Sequence, residues 1–463
     1  MKPSLFQSMM ILCFAPGLLL AQPRSVQAQG AIASGETRTG TIAPVGDSDS
    51  WTFVANADDA IVVRLGEISQ SGNFLPRLRL FGPGANLLDT SWSASAAEVA
   101  LAAPTGGTYT AVVDDLSGVN ATGTYRISLA RTGSPVTVSP GDEGGPLTNG
   151  AVHTGTIELG DIDLWTLDAT AGEAIIVRMG ETSAGSTLTP WLRLYGPDGT
   201  LLDHSYAAAA AEIAVTALTT GAYLVVVGDN TSGWVGTGPY RLTLAKTGSP
   251  VTVSPGDEGG PLAYALGTLA LEVGDLDVWT VTAHAGETIV VHMNEVVAGS
   301  TLTPWLRLYG PTGTLLRTNY GAGVADVSVT AGSSGAYLVV AADNASGWSG
   351  SGTYQLNPSG TSGAPEMLPP AALRLSPGFP NPFVAHTTLR YEIPAAGTVA
   401  LRIFDAQGRM VRTLVEEASV SAGPGEATWD GTDVTGQAAA PGVYFARLES
   451  GGRPLVRKLI LSR

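Results

Sequence analysis

The sequence predicts an all-β chain of tandem β-sandwich domains, and three observations carry that prediction. Turn-forming residues are dense, with 59 Gly and 29 Pro among 463 residues. Between them run short segments rich in Val, Thr, Leu, Tyr and Trp, the composition of strands. No long stretch shows the three-and-four apolar spacing of an amphipathic helix. The third observation is an internal repeat: Trp51, Trp165 and Trp279 stand 114 residues apart, and so do Pro76, Pro190 and Pro304, and Tyr109, Tyr223 and Tyr337.

The chain opens on a segment with Lys2 near its start, a short apolar run at residues 9–21 and a small-x-small site at Val26, Gln27 and Ala28. That pattern predicts a cleaved signal peptide over residues 1–28, so the mature protein is expected to be exported, with no integral membrane span after cleavage. Cys13 is the sole cysteine and lies inside the leader. The mature chain therefore has no disulfide and no thiolate ligand or nucleophile, and each domain must be held by its own packing.

Three repeats follow, at 30–132, 148–247 and 263–357, separated by linkers at 133–147 and 248–262. The segment TGSPVTVSPGDEGGPL is identical at 132–147 and 247–262. TPWLRLYGP stands at both 189–197 and 303–311, where the first copy reads LPRLRLFGP at 75–83. A unit of this length is a whole sandwich, immunoglobulin-like or jelly-roll-like, with its own core. In the second copy, residues 164–167, 174–179, 191–195, 223–227 and 240–244 read as strands, with a Gly-Pro-Asp-Gly turn at 196–199. The run AIIVRM at 174–179 is nearly continuously apolar, the mark of a strand buried on both faces. The alanines at 207–211 read as a small-residue strand or loop.

The order GDxDxWT, AGExIxVR, LTPxLRLYGPxGTLL, GxYLVVVxD and GxYRLTL resembles the bacterial pre-peptidase C-terminal domain, a small β-sandwich appended to secreted peptidases and other exported proteins. The resemblance implies export and an accessory role, and some members of that family bind calcium. After a Pro-rich linker at 358–372, residues 373–463 differ from the repeats. Pro380, Asn381, Pro382 and Phe383, the hairpin at 405–409, Trp429-Asp430-Gly431, Gly442-Val443-Tyr444 and a basic–aliphatic terminal strand resemble the type IX secretion C-terminal sorting domain and the related flagellar-hook-cap-type immunoglobulin-like fold. That resemblance implies passage through the type IX secretion machinery and a place on the outer cell surface or in the medium.

The formal net charge of −16 argues against nucleic acid or anionic lipid as a partner. Five histidines occur, none at one place in all three repeats, and no HExxH, G-x-S-x-G, phosphate-loop or C-x-x-C pattern is present. The expectation is a non-catalytic protein without a cofactor. One exception is open. Asp47 and Asp49, Asp161 and Asp163, and Asp275 and Asp277 form pairs two residues apart before each repeated Trp, and such pairs offer oxygens to Ca²⁺ or cap a turn. Trp191 and Trp305 on a strand, and Trp234 and Trp348 in Gly-rich loops, are candidate contacts for an extracellular polysaccharide or protein ligand, or else they fold back over their own sandwich. The resulting expectation is an adhesin, spacer or matrix-binding array, with an accessory subunit of a secreted hydrolase as the alternative.

Overall fold

The computed structural model describes residues 26–117, 121–262, 267–297, 299–359, 373–394, 397–420, 423–451 and 453–462. It is all-β, as expected: among the described residues the one helical turn is the 3-10 turn Ser346–Trp348. No helix among them is long and apolar enough to cross a membrane. Residues 1–25 of the expected leader and 360–372 of the Pro-rich linker lie outside the described residues, whereas Val26, Gln27 and Ala28, placed in the leader by the sequence, pair with Ser48, Asp49 and Ser50 as the start of the edge strand Val26–Ala31.

Each repeat is a sandwich of a five-stranded front sheet and a four-stranded back sheet with one strand order. In the second repeat the front sheet runs Gly144–Pro146, Asp163–Ala169, Gly221–Asp229, Pro190–Tyr195, Leu201–Tyr206. The back sheet runs Val152–Ile157, Gly238–Lys246, Ala174–Glu181, Ala210–Thr216. Alternation puts Trp165 and Leu167 inward from one sheet and Ile175, Val177 and Met179 from the other. Each such side chain contributes about 1.5–3 kcal/mol by leaving water. Tyr109, Tyr223 and Tyr337 each donate their hydroxyl to the backbone carbonyl four residues earlier, at 2.6–2.7 Å, a tyrosine corner in every copy.

The strand Ala174–Glu181 is buried on both faces, and its second face explains the whole array. Ile175, Val177 and Met179 fill their own core, while Ala174 and Ile176 join Ala245, Leu276, Val278, Tyr309, Leu338 and Val340 in a second cluster. That cluster lies between the back sheet of the second repeat and the front sheet of the third. Ala60, Val62 and Ala130 meet Ile162, Leu164, Tyr195, Leu224 and Val226 in the same way between the first and second repeats. The three sandwiches therefore stack sheet on sheet, six layers in series, with layers about 10 Å apart.

The segments 133–147 and 248–262 are bonded to both neighbours. Thr137 N donates to Ser34 O at 2.7 Å, Gly144–Pro146 pairs in parallel with Asp163–Ala169, and Leu147 N donates to Thr166 O at 2.7 Å. The second linker repeats the pattern through Thr252 and the strand Gly259–Pro261.

The last domain packs Arg374–Leu375, Thr387–Ile393 and Gly423–Trp429 against Met410–Val420, Gly397–Asp405, Gly442–Ser450 and Arg453–Leu461. Its core centres on the fully buried Trp429, flanked edge-on by Phe383 and Tyr444 at 5.4 and 4.9 Å.

Candidate cation sites at the module seams

In every repeat a tyrosine across the sandwich holds the second Asp of the pair, and in the first two repeats the repeated Trp donates to that tyrosine. In the second repeat Trp165 Nε1 donates to Tyr240 Oη at 3.0 Å, and Tyr240 Oη donates to Asp163 Oδ2 at 2.6 Å. The first repeat places Trp51, Tyr125 and Asp49 likewise, at 2.9 and 2.7 Å, and the third places Tyr354 on Asp277 at 2.5 Å. The tyrosine fixes one carboxylate oxygen and leaves the other. Asp163 Oδ1 and Asp277 Oδ1 are buried and have no hydrogen-bond partner among the described residues.

Those free oxygens face further acids. Asp142, Asp161 and Asp163 bring carboxylate oxygens within 4.8 Å of one another, and Asp257, Asp275 and Asp277 do the same. Asp142 and Asp257 come from the duplicated linker and did not stand out in the sequence, although their identical GDEGG setting marked them. Burial pushes Asp161 up to about 6, with the Asp142 charge adding to it. Burial, then the Asp161 charge, pushes Asp163 well above the carboxylate range. Burial pushes Asp257 up to about 6 and Asp275 up to about 8, and burial, then the Asp275 charge, pushes Asp277 well above the carboxylate range. Arg241 lies 3.5 Å from Asp275 Oδ2, one positive charge beside three acids. Two unit charges 4 Å apart repel by about 4 kcal/mol at an effective dielectric of 20, so the fully ionised triads are relieved by protons or by a further cation. One carboxylate of the first triad, Asp163, and all three of the second keep a buried oxygen without a hydrogen-bond partner among the described residues, a donor set that fits a hard divalent ion such as Ca²⁺.

The first repeat departs from this. Its Asp47 and Asp49 have no third carboxylate among the described residues, and Gln29 Nε2 donates to Asp49 Oδ1 at 2.6 Å. In the first repeat the Gln29 amide holds the carboxylate oxygen that, in the other two copies, has no hydrogen-bond partner among the described residues.

The acid site also touches the preceding module. Asp161 Oδ1 accepts from Ser128 Oγ and Thr37 Oγ1 of the first repeat, each at 3.2 Å, and Asp275 Oδ1 accepts from Thr243 Oγ1 of the second at 3.3 Å.

Beside each acid site runs a buried ion triad. Arg64 of the first repeat binds Glu98 Oε2 at 2.9 and 2.6 Å, and Arg193 of the second repeat binds Glu98 Oε1. Arg178, Glu212 and Arg307 repeat the set at the next seam, with Arg307 on Glu212 at 2.7 and 2.9 Å. Burial alone would raise Glu98 and Glu212; the guanidinium charges on either side outweigh it and hold both below the usual range. Burial lowers Arg64 and Arg178.

The tryptophans singled out in the sequence gather here. Trp191 lies under Arg193 at 3.6 Å and Arg64 at 5.4 Å, and Trp305 under Arg307 at 4.1 Å and Arg178 at 5.8 Å. Trp348, on its Gly-rich loop, reaches back to Arg178 at 5.9 Å. Trp234 is half-buried with φ +51, on the loop whose Gly233 approaches Ser93 of the first repeat. All four therefore sit at or beside a seam.

The terminal-domain motif forms a clip on the last strand. Asn381 Nδ2 donates to Lys458 O at 2.9 Å, Ile460 N donates to Asn381 Oδ1 at 2.8 Å, and Phe383 N donates to Ile460 O at 3.0 Å. Pro380 and Pro382 flank Asn381, and Gly442 leads into Tyr444, whose hydroxyl donates to Ala440 O.

A family model described as the FlgD Ig-like domain matches residues 385–452. No curated protein matches the chain. Among solved structures, the pre-peptidase C-terminal domain of collagenase from Bacillus anthracis is 17% identical, with 22% of this chain covering 95% of that one at a TM-score of 0.19. Latent PorU from Porphyromonas gingivalis is 13% identical over 70% of this chain and 33% of that one, at a TM-score of 0.19. PorZ of the same organism, a surface component of its type IX secretion system, is 13% identical over 61% and 36%, at 0.16. The chain thus spans about a third of PorU and PorZ, and at these scores the fold rests on strand order and register alone.

Proposed function

We propose that this is an exported, non-catalytic surface or secreted protein. Its three repeats act as one stiff spacer and binding array, and its C-terminal domain directs type IX secretion and attachment. The observation that carries the array reading is the seam: each back sheet is buried against the next front sheet, with a closed ion triad between them. A chain of independent sandwiches on loose linkers would not bury arginines there. In this reading Ca²⁺ or a similar ion at Asp142, Asp161 and Asp163, and at Asp257, Asp275 and Asp277, ties each linker to the module it enters. The ion supplies positive charge to carboxylates that the cross-sandwich tyrosines already orient. The secretion reading is supported by the Asn381 clip on the terminal strand and by the Ig-like family match at 385–452.

The test is the native protein. Mass spectrometry of its termini, with surface labelling by an antibody to the repeats, should find a chain that begins near Gln29, lies on the cell surface or in the medium, and has lost the residues after about 370. Retention of the full C-terminal domain in the periplasm would refute the sorting role.

A further inference from the structure

The three repeats are not equal at their outer faces, and the differences fall on the residues that make the seams. At the two internal seams the back face offers Ala174, Arg178, Gly180 and Glu212, or their first-repeat counterparts Ala60, Arg64, Gly66 and Glu98. The free back face of the third repeat carries Thr288, His292, Asn294 and Asp326 at the same register positions. His292 and Asp326 bind each other at 2.6 Å with side chains 41% and 51% exposed, whereas Arg178 is fully buried. Asn294 is a steric bar as well. A Cβ on Gly180 would come within 2.4 Å of Gly274 Cα, so the seam admits no side chain there.

The front faces differ in the same sense. Ile162, Leu164, Trp191 and Gly228 line the front of the second repeat, and Ser48, Ser50, Arg77 and Asp114 replace them in the first. Asp114 captures Arg77 at 2.7 Å and Arg79 at 2.6 Å. Arg79 is the counterpart of Arg193, the arginine that completes a triad on the preceding module. Here it is neutralised within its own sheet.

We propose that both outer faces are end caps that refuse a further module, so copies of this chain do not join head to tail and the stack stops at three. Stacked repeats need polar terminal faces to stay soluble, and a face that fits the other end of its own copy makes an open, non-closing polymer. The caps act by three means: apolar side chains replaced by hydroxyls, a close-contact glycine replaced by asparagine, and the docking arginine tied to Asp114. This inference rests on the seam geometry and not on the secretion or cation readings.

The test restores the internal chemistry in the full chain. One variant carries Thr288→Ala, His292→Arg, Asn294→Gly and Asp326→Glu on the back face. The other carries Ser48→Ile, Ser50→Leu, Arg77→Trp and Asp114→Gly on the front face. Light scattering on a size-exclusion column should find wild type and each variant monomeric, and their mixture should show a roughly two-fold rise in mass, a closed pair. A chain carrying both sets should form linear polymers visible by electron microscopy. Wild type that already joins head to tail, or a mixture of folded variants that stays monomeric, would overturn the proposal. Should the front-face variant fail to fold, a second design decides. Inserting an extra copy of residues 148–262 after residue 262 should lengthen the particle in solution scattering by about 20 Å, two sheet layers, without adding flexibility. An inserted module that hangs free would refute the docking code on which the caps depend.

Discussion

Replacing Glu212 by Ala is the sharpest perturbation of the stack. The carboxylate lies between Arg178, fully buried, and Arg307, and bonds both through four contacts of 2.7–2.9 Å. Its removal leaves two guanidinium groups facing each other in a dry seam. Breaking a buried pair by removing one partner costs about 3–5 kcal/mol, because the remaining charge is uncompensated. Here two charges remain, so the upper part of that range is expected. The loss should not unfold the sandwiches, since the second and third repeats each keep a separate core. It should uncouple them. Urea unfolding followed by tryptophan fluorescence should change from a single cooperative step for the repeats to separate steps. Hydrogen exchange should rise first in the strands Ala174–Glu181 and Pro304–Tyr309. The combined change Arg178→Met, Glu212→Leu and Arg307→Met should recover most of the loss, because it leaves no charge behind. A Glu212→Ala loss below about 1 kcal/mol, the range of a solvent-screened pair, would refute the buried-triad account.

Four other expectations follow from the same contacts. Without metal, the acid triads bind more protons folded than unfolded, because Asp161 is raised to about 6 and Asp163, Asp275 and Asp277 are raised as well. Stability should therefore rise as pH falls from 8 through 6. It should fall again at lower pH, as the depressed carboxyls of Glu98 and Glu212, fully stabilising above their ordinary 4.5, take up protons; a melting-temperature profile that falls steadily from pH 8 would contradict this. Calcium should raise the melting temperature at pH 7.5 and do so much less at pH 5.5, and Asp163→Asn with Asp277→Asn should abolish the calcium shift while stabilising the metal-free chain. Gly274→Ala sets a Cβ 2.1 Å from Gly180 Cα at a backbone φ of +76, so it should cost about 1–3 kcal/mol and loosen the second seam alone in hydrogen exchange. Asn381→Ala removes two hydrogen bonds to the terminal strand, at a cost of about 1–3 kcal/mol, and should expose Arg453–Leu461 to limited proteolysis while the repeats stay resistant.

Much of the fold was legible because it repeats. The Trp, Pro and Tyr spacings mark one sandwich three times, and alternation places their strands. The run 174–179 announced a strand covered on both sides. It could not say by what, since the covering residues Leu276, Val278 and Tyr309 lie about a hundred positions away in another copy. Asp142 was hidden for another reason: it lies close to Asp161 in sequence but reaches it only when the linker turns back to form an edge strand. Trp191 stands where the first copy has Arg77, a difference that reads as a ligand contact until the register shows one face docked and the other terminal. The aspartate pairs were visible as pairs; the tyrosine that orients each one is about 77 residues on and pairs through the core.

The linker that closes one sandwich and opens the next has a genetic consequence. A recombination event that copies one period of the gene, linker included, inserts a module between two internal faces, each already matched to it. The stretches at 132–147 and 247–262 are identical in amino-acid sequence, so an exchange between them would add or remove the second module and leave the first and last copies untouched. Adding or losing one whole period in this way asks for no new surface at either end.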